Sequence, residues 1–151
     1  MNKKDLLIIS HLRKDGRTTL TELSRKTNIP VSTIFDRIKH NDDFIKRHTA
    51  IIDFGKLGYN TRANILIKVD REERDEVKKY LLGNLNVNSV YKINSNHDFM
   101  IDVVFRDIKE MEEFQEHLDE KFKIKNKQVY YIIDELKKEE FLSQPEMVKM
   151  M

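Results

Sequence analysis

The chain contains no cysteine. That excludes disulfide scaffolds, zinc–thiolate sites and thiol nucleophiles, and it suits a reducing cytoplasm. Tryptophan is also absent. Long apolar runs are missing: after Asp5 the N-terminus MNKKDLLIISHLRKDG has four apolar residues in succession, too few for a signal-peptide core or a membrane span. There is no glycine-rich phosphate loop and no serine-nucleophile motif, and the five histidines are scattered at 11, 40, 48, 97 and 117. No catalytic signature is left, and neither a metal nor a cofactor is expected.

What is present in quantity is charge. Of 151 residues, 36% are charged and 39% hydrophobic, so the surface is highly charged while a core remains possible in one domain or two small ones. The net charge of +2 is unevenly spread. Residues 1–60 hold 12 Lys and Arg against 7 Asp and Glu, whereas residues 61–151 hold 16 against 19. A basic first segment joined to a mildly acidic second one suggests two parts with different partners.

The first sixty residues read as helices. Leu6, Ile9 and Leu12 recur at helical spacing, and Gly16 ends that helix. Thr19 and Glu22 form a capping box, a hydroxyl and a carboxylate satisfying donors that a helix start leaves unpaired. Leu20 and Leu23 give this second helix an inward side. Asn28 tolerates a left-handed backbone and Pro30 cannot continue the helix, so the chain bends here. A third helix starts at Ser32 or its neighbour, with Ile34, Phe35 and Ile38 as apolar positions. Three short helices with a tight turn between the second and third make a helix-turn-helix. FIKRHTAIIDFGKLG (44–58) alternates loosely and reads as a strand and linker ending at Gly55 and Gly58.

The second half has a different order. ANILIKV (63–69) alternates, with Ile65, Ile67 and Val69 on one face, and EERDEVKKYLLGN (72–84) reads as a helix burying Val77 and Leu81. SVYKI (89–93) and FMIDVVF (99–105) are β-rich runs around the polar turn NSNHD, a hairpin. IKEMEEFQEHLDEKF (108–122) is an amphipathic helix with Ile108, Met111, Phe114, Leu118 and Phe122 as its stripe, and QVYYIID (128–134) is a last strand. The order βαββαβ is the ferredoxin-like arrangement, an antiparallel sheet with two helices on one face. The other face then needs cover, most simply from a second copy. The expected fold is α+β: a winged helix-turn-helix over 1–48, a linker strand over 49–60, a ferredoxin-like domain over 61–138 and a tail over 139–151. The tail EEFLSQPEMVKMM is either a frayed end or a Met-rich contact between dimers.

In this order of parts the chain resembles the Lrp/AsnC family, the leucine-responsive or feast/famine transcription regulators of bacteria and archaea. The likeness covers residues 3 to about 138. It is carried by DLLIISHLRKDGRTTLTELSRKTNIPVSTIFDRIK, then FIKRHTAIIDFGKLGY, then the βαββαβ half containing YKINSNHDFMIDV. The resemblance implies an N-terminal DNA-binding domain, a C-terminal domain for oligomerisation and small-molecule sensing, and dimers that commonly build octamers. Two segments depart from the family pattern. HNDDF (40–44) is shorter than the usual end of the recognition helix, and Asp42 and Asp43 there oppose both the helix dipole and DNA phosphates. The hairpin loop holds Ser95 where the family has a glycine three residues before an aspartate, here Asp98. A second architecture-mate is the sirohaem decarboxylase, which carries a histidine where His97 stands, but this chain lacks that enzyme's upstream His-Asn-Tyr and its tryptophan. A third reading is an oligomerising module whose helix-turn-helix is inactive.

On the third helix Ser32, Thr33, Asp36, Arg37 and His40 share one side, opposite Ile34 and Ile38. A recognition helix needs this division, apolar residues fixing its tilt and polar ones meeting base edges and phosphates. Ser32 and Thr33 sit where helix-end amides and hydroxyls hold a phosphate. Arg37 takes a guanine bidentately or a phosphate, and Asp36 accepts from a cytosine amino group or orients Arg37. Lys39 and His40 contact the DNA backbone. Arg17, Thr18, Thr19, Arg25 and Lys26 lie at or near the second helix within reach of phosphates. The alternative for all of them is an ordinary solvated surface. One such helix reads only a few base pairs. The expected partner is therefore a two-fold symmetric duplex bound by a homodimer, with its helices about one turn (roughly 34 Å) apart. In NSNHDFMID (94–102), Ser95, Asn96 and Asp98 are candidates for binding an effector such as an amino acid, or else form a polar turn capping its own backbone. As a metal site the run with His97, Asp98 and Asp102 lacks a convincing third ligand.

Overall fold

The structure, a computed structural model, describes residues 2–40 and 44–151. Asp42 and Asp43, expected near the end of the third helix, lie outside the described residues. The chain forms two compact units, residues 1–51 together with 136–151, and residues 52–135.

In the first unit, helix α1 (Lys3–Lys14) opens with a capping box in which Asn2 accepts the Asp5 amide at 3.0 Å and the Asp5 carboxylate accepts the Asn2 amide at 2.9 Å. Helix α2 (Leu20–Thr27) opens with the second box, Thr19 with Glu22, at 3.2 Å in both directions. Asn28 closes α2 in the left-handed conformation, at φ 55°, which its short polar side chain tolerates. Helix α3 (Val31–His40) starts with Ile34 N–H donating to the Pro30 carbonyl, so Ser32's neighbour Val31 is its first residue. Ile8, Leu23, Ile29 and Ile34 form the core, with Leu12, Leu20 and Ile38 against it. Each such buried side chain contributes about 1.5–3 kcal/mol.

One inward assignment moves. In α1 it is Ile8 rather than Ile9 that is buried, with Leu6 and Ile9 left half-buried. The run Leu6–Ile9 is apolar around the whole turn, so periodicity alone does not select its inner side. Phe35, an apolar position of α3 whose side the sequence left open, is 55% exposed. Ile34 and Ile38 face the core together, and Phe35, about 100° on from Ile34 at 3.6 residues per turn, swings off that stripe.

The tail is not a frayed end. Helix α6 (Pro145–Met150) packs on α1 within the first unit, with Val148 1% exposed. The Arg13 guanidinium donates to the carbonyls of Phe141 and Glu139 at 2.5 and 3.0 Å and to the Glu139 carboxylate at 3.1 Å. Lys3 donates to the Lys149 carbonyl at 2.9 Å, capping the last turn of α6. His11 on α1 is held below its ordinary pKa by burial first and then by the charges of Lys26 and Lys149.

The second unit is an antiparallel sheet of β1 (Thr61–Val69), β2 (Val87–Lys92), β3 (Phe99–Phe105) and β4 (Ile124–Tyr131) in the order β2-β3-β1-β4. Helices α4 (Arg74–Gly83) and α5 (Ile108–Lys121) supply Val77, Leu81, Met111, Phe114 and Leu118 to one core with Ile65, Ile67, Ile101 and Val103. Strict alternation along β1 puts Ala63, Ile65, Ile67 and Val69 into that core and Arg62, Asn64, Leu66 and Lys68 on the other face. Ile108, expected in the α5 stripe, is 62% exposed because it is the first residue after the Asp107 cap, before the helix settles onto the sheet. The linker expected as a strand over 49–60 forms no ladder among the described residues. It runs irregularly into a 3₁₀ turn, Gly55–Leu57, closed by Gly58 at φ 87°. An extended segment counts as a strand only when another strand takes its hydrogen bonds, and none of the four described strands pairs with this one.

Val148→Ala is expected to lower the stability of the helical unit by about 1–3 kcal/mol, through lost burial and the cavity left behind. Denaturant unfolding followed by the backbone amide signals of α1 checks this.

Candidate nucleic-acid interface

Helix α3 advances about 100° per residue, which fixes the order of its side chains around the axis. Around the outward side run Phe35, Lys39, Ser32, Asp36, His40, Thr33 and Arg37. Ser32, Phe35, Asp36, Lys39 and His40 are exposed, while Thr33 and Arg37 are half-buried. His40 Nδ1 lies 2.6 Å from the Asp36 carbonyl, folding its ring back along the helix. Thr19 spends its hydroxyl as an acceptor inside the α2 cap, and Arg17, Arg25 and Lys26 are exposed.

Arg37 is not free at the surface. Its Nη1 donates to the Asp5 carboxylate at 2.6 Å and to the Asn2 side chain at 3.2 Å, and the pair is largely shielded from solvent. Asp5, not Asp36, orients this arginine. The capping box of α1 and the ion pair to α3 therefore share one carboxylate. Asp5, Thr33, Asp36, Arg37 and His40 surround an open concavity of about 390 Å³. Two carboxylates there disfavour a phosphate, whereas Ser32 and Lys39 on the opposite edge offer a hydroxyl and a cation. Sequence reasoning missed Asp5, which lies 32 residues from Arg37, and left open which way Phe35 faces. For Asp5 the sequence carries no local signal. For Phe35 the helical phase relative to Ile34 and Ile38 does.

On the second unit, the candidate effector residues sit in the β2–β3 hairpin loop. Ser95 and Asn96 are exposed, and Ser95 adopts φ 67°. That is the left-handed region glycine prefers, so the loop keeps a glycine-like shape at a cost of about 1 kcal/mol. Asp98 is engaged within the fold: one oxygen accepts the Val69 amide at 2.9 Å and the other pairs with Arg74 Nε at 2.9 Å. His97 is half-buried with its Nε2 shielded and unpaired. On the open sheet face, Arg62 donates to both Asp102 oxygens at 3.0 and 2.8 Å and also pairs with Glu135. The hydrogen bonds to Asp102 come first in raising the guanidinium's pKa. Asn88 donates to the same Asp102 carboxylate at 2.9 Å. Among the described residues no cluster of three or more His, Cys, Asp or Glu is placed to hold a metal ion.

A helix-turn-helix with an exposed polar helix face stands on one chain with a separate βαββαβ unit. Comparison with known proteins agrees part by part. Residues 1–40 match the winged helix-turn-helix DNA-binding model, and residues 62–141 match the Lrp/AsnC ligand binding domain. The chain belongs to the Lrp/AsnC family of transcriptional regulators. It is 35% identical over 112 residues to the HTH-type transcriptional regulator FL11 of Pyrococcus furiosus, covering 73% of this chain and 74% of that one. With FL11 of Pyrococcus abyssi it shares 33% identity over 116 residues, covering 76% and 77%. Among solved structures the fold is similar to a Neisseria meningitidis transcriptional regulator in complex with L-Met, with TM-score 0.85 at 20% identity, covering 91% and 93%. It is likewise similar to LrpC of B. subtilis, with TM-score 0.82 at 23% identity, covering 91% and 97%.

Asp5→Ala is expected to cost roughly 2–4 kcal/mol, because it leaves a shielded guanidinium unpaired and uncaps α1; urea unfolding of the helical unit checks it. Ser95→Gly is expected to raise the stability of the sheet unit by up to about 1 kcal/mol, measured the same way, since glycine occupies positive φ without strain.

Proposed function

We propose that the protein is a dimer-based regulator that lays α3 in the major groove of a two-fold symmetric operator and responds to a small effector such as an amino acid. The observation that carries this is the division of α3. Ile34 is fully buried and Arg37 is tied to Asp5, while Ser32, Asp36, Lys39 and His40 stand in solvent on a helix whose orientation is thereby fixed. Ser32, with Thr33 beside it, occupies the helix start, suited to a phosphate; Lys39 and His40 supply backbone contacts, and Asp36 faces base edges. Arg17, Thr19, Arg25 and Lys26 surround this face with positive charge and further donors. Arg37 serves chiefly to hold the helix.

A second copy is supported by the open sheet face. Leu66 and Met100 lie half-buried and Tyr91 and Tyr130 exposed around the Arg62–Asp102 pair, a mixed surface suited to a two-fold partner. Dimers of this kind go on to higher assemblies such as octamers through remaining surfaces. The exposed loop tip at Ser95 and Asn96 is the effector contact, with Asp98 setting the loop's shape rather than meeting the ligand. A chain without cysteine suits work in the reducing cytoplasm, and no described helix is long and apolar enough to cross a membrane.

Selection of bound duplexes from a random pool tests the reading. The expected result is a two-fold symmetric motif with half-sites about one helical turn apart, bound less tightly as salt rises. Lys39→Ala should then weaken all duplexes alike and reduce the salt slope by about 1. A pool that enriches nothing would overturn the proposal.

A further inference from the structure

The outward side of α3 has an apolar edge that the described residues leave open to solvent. Phe35 is 55% and Val31 41% exposed, one helical turn apart on the same line, and Lys39 continues that line a turn further on. Ser32 stands beside them. A phenyl ring left 55% exposed on a short helix forgoes part of the burial a core would give it, and the core of this unit is complete without it. The occupant that this edge fits must offer apolar groups flanked by negative charge, since Ser32 and Lys39 border the ring and Arg25 and Lys26 lie on the preceding helix. In the major groove the C5-methyl of thymine is the apolar group of the base edges, and it lies between two rows of phosphates.

We infer that Phe35 is a specificity residue that packs against thymine methyl groups in each half-site, with Val31 extending the apolar contact. This rests on the reading of α3 as the recognition helix and adds to it a base preference. Hydrogen-bonding residues on the other edge of the helix are compromised as readers, Arg37 by Asp5 and His40 by its own helix. Selectivity through methyl contact then replaces the bidentate guanine contact that the arginine would have made.

The test replaces each thymine of the selected operator in turn by deoxyuridine, which deletes one methyl and leaves the base pairing intact. With the wild-type full chain, one or two positions per half-site should lose about 3–10-fold in affinity. Phe35→Ala should bind the thymine operator more weakly and be indifferent to the same replacements, while Phe35→Leu should keep part of the sensitivity. Circular dichroism of both variants verifies that the exposed position leaves the fold intact, and Phe35→Leu serves if the alanine variant unfolds. The inference falls if no thymine methyl matters to the wild type. It falls equally if Phe35→Ala remains as methyl-sensitive as the wild type, including where the variant instead changes the oligomeric state. A wild type that binds no duplex at all would remove the underlying reading as well.

Discussion

The ion pair between Asp5 and Arg37 does for α3 what its small apolar core does not. Four buried residues, Ile8, Leu23, Ile29 and Ile34, hold three helices together by contacts that are strong but without direction. A helix held only by Ile34 and Ile38 retains freedom to roll about its own axis. A charge-assisted hydrogen bond of 2.6 Å from the guanidinium to a carboxylate already fixed in the α1 cap has a preferred direction, and it sets that roll. Which residues of α3 face outward follows from this contact together with the inward stripe of Ile34 and Ile38.

The same use of arginine recurs where the chain passes between its two units, at 51–52 and again at 135–136. In the sheet unit, Arg62 joins Asp102 on β3 to Glu135 and has its guanidinium 5.9 Å from the ring centre of Phe54. It thereby touches both the segment that enters the unit and the one that leaves it. In the helical unit, Arg13 grips the returning segment at Glu139 and Phe141, next to residues in the left-handed conformation at Glu139 and Leu142. Non-glycine residues hold that conformation only when their surroundings enforce it. The C-terminal segment is thus part of the helical unit by construction, although it follows the sheet unit in sequence.

Much of this is legible in the sequence where the determinants are local. The Thr19–Glu22 box, the left-handed Asn28, the break at Pro30 and the strand 99–105 all appear as expected, because each is set by residues within one turn or one strand. The βαββαβ order is legible for the same reason. What is not legible is long-range or a matter of phase. The docking of α6 and the segment before it on α1 joins residues more than 120 positions apart. The Asp5–Arg37 pair engages the arginine expected to read bases, and no spacing rule reports it. Phe35 reads only as an apolar position, and its angle from Ile34 carries it into solvent. At Ser95 the departure from a glycine pattern suggests a changed loop, but the backbone keeps the left-handed shape and the serine bears the strain.

The account stands on α3 presenting its outward face to DNA. Backbone amide chemical shifts of the isotopically labelled full chain, recorded with and without a selected operator duplex, test this most directly. The account predicts that the largest changes fall on residues 31–40 and the start of α2, with the open sheet face of the second unit little affected. Changes concentrated on the sheet unit, with α3 silent, would contradict it.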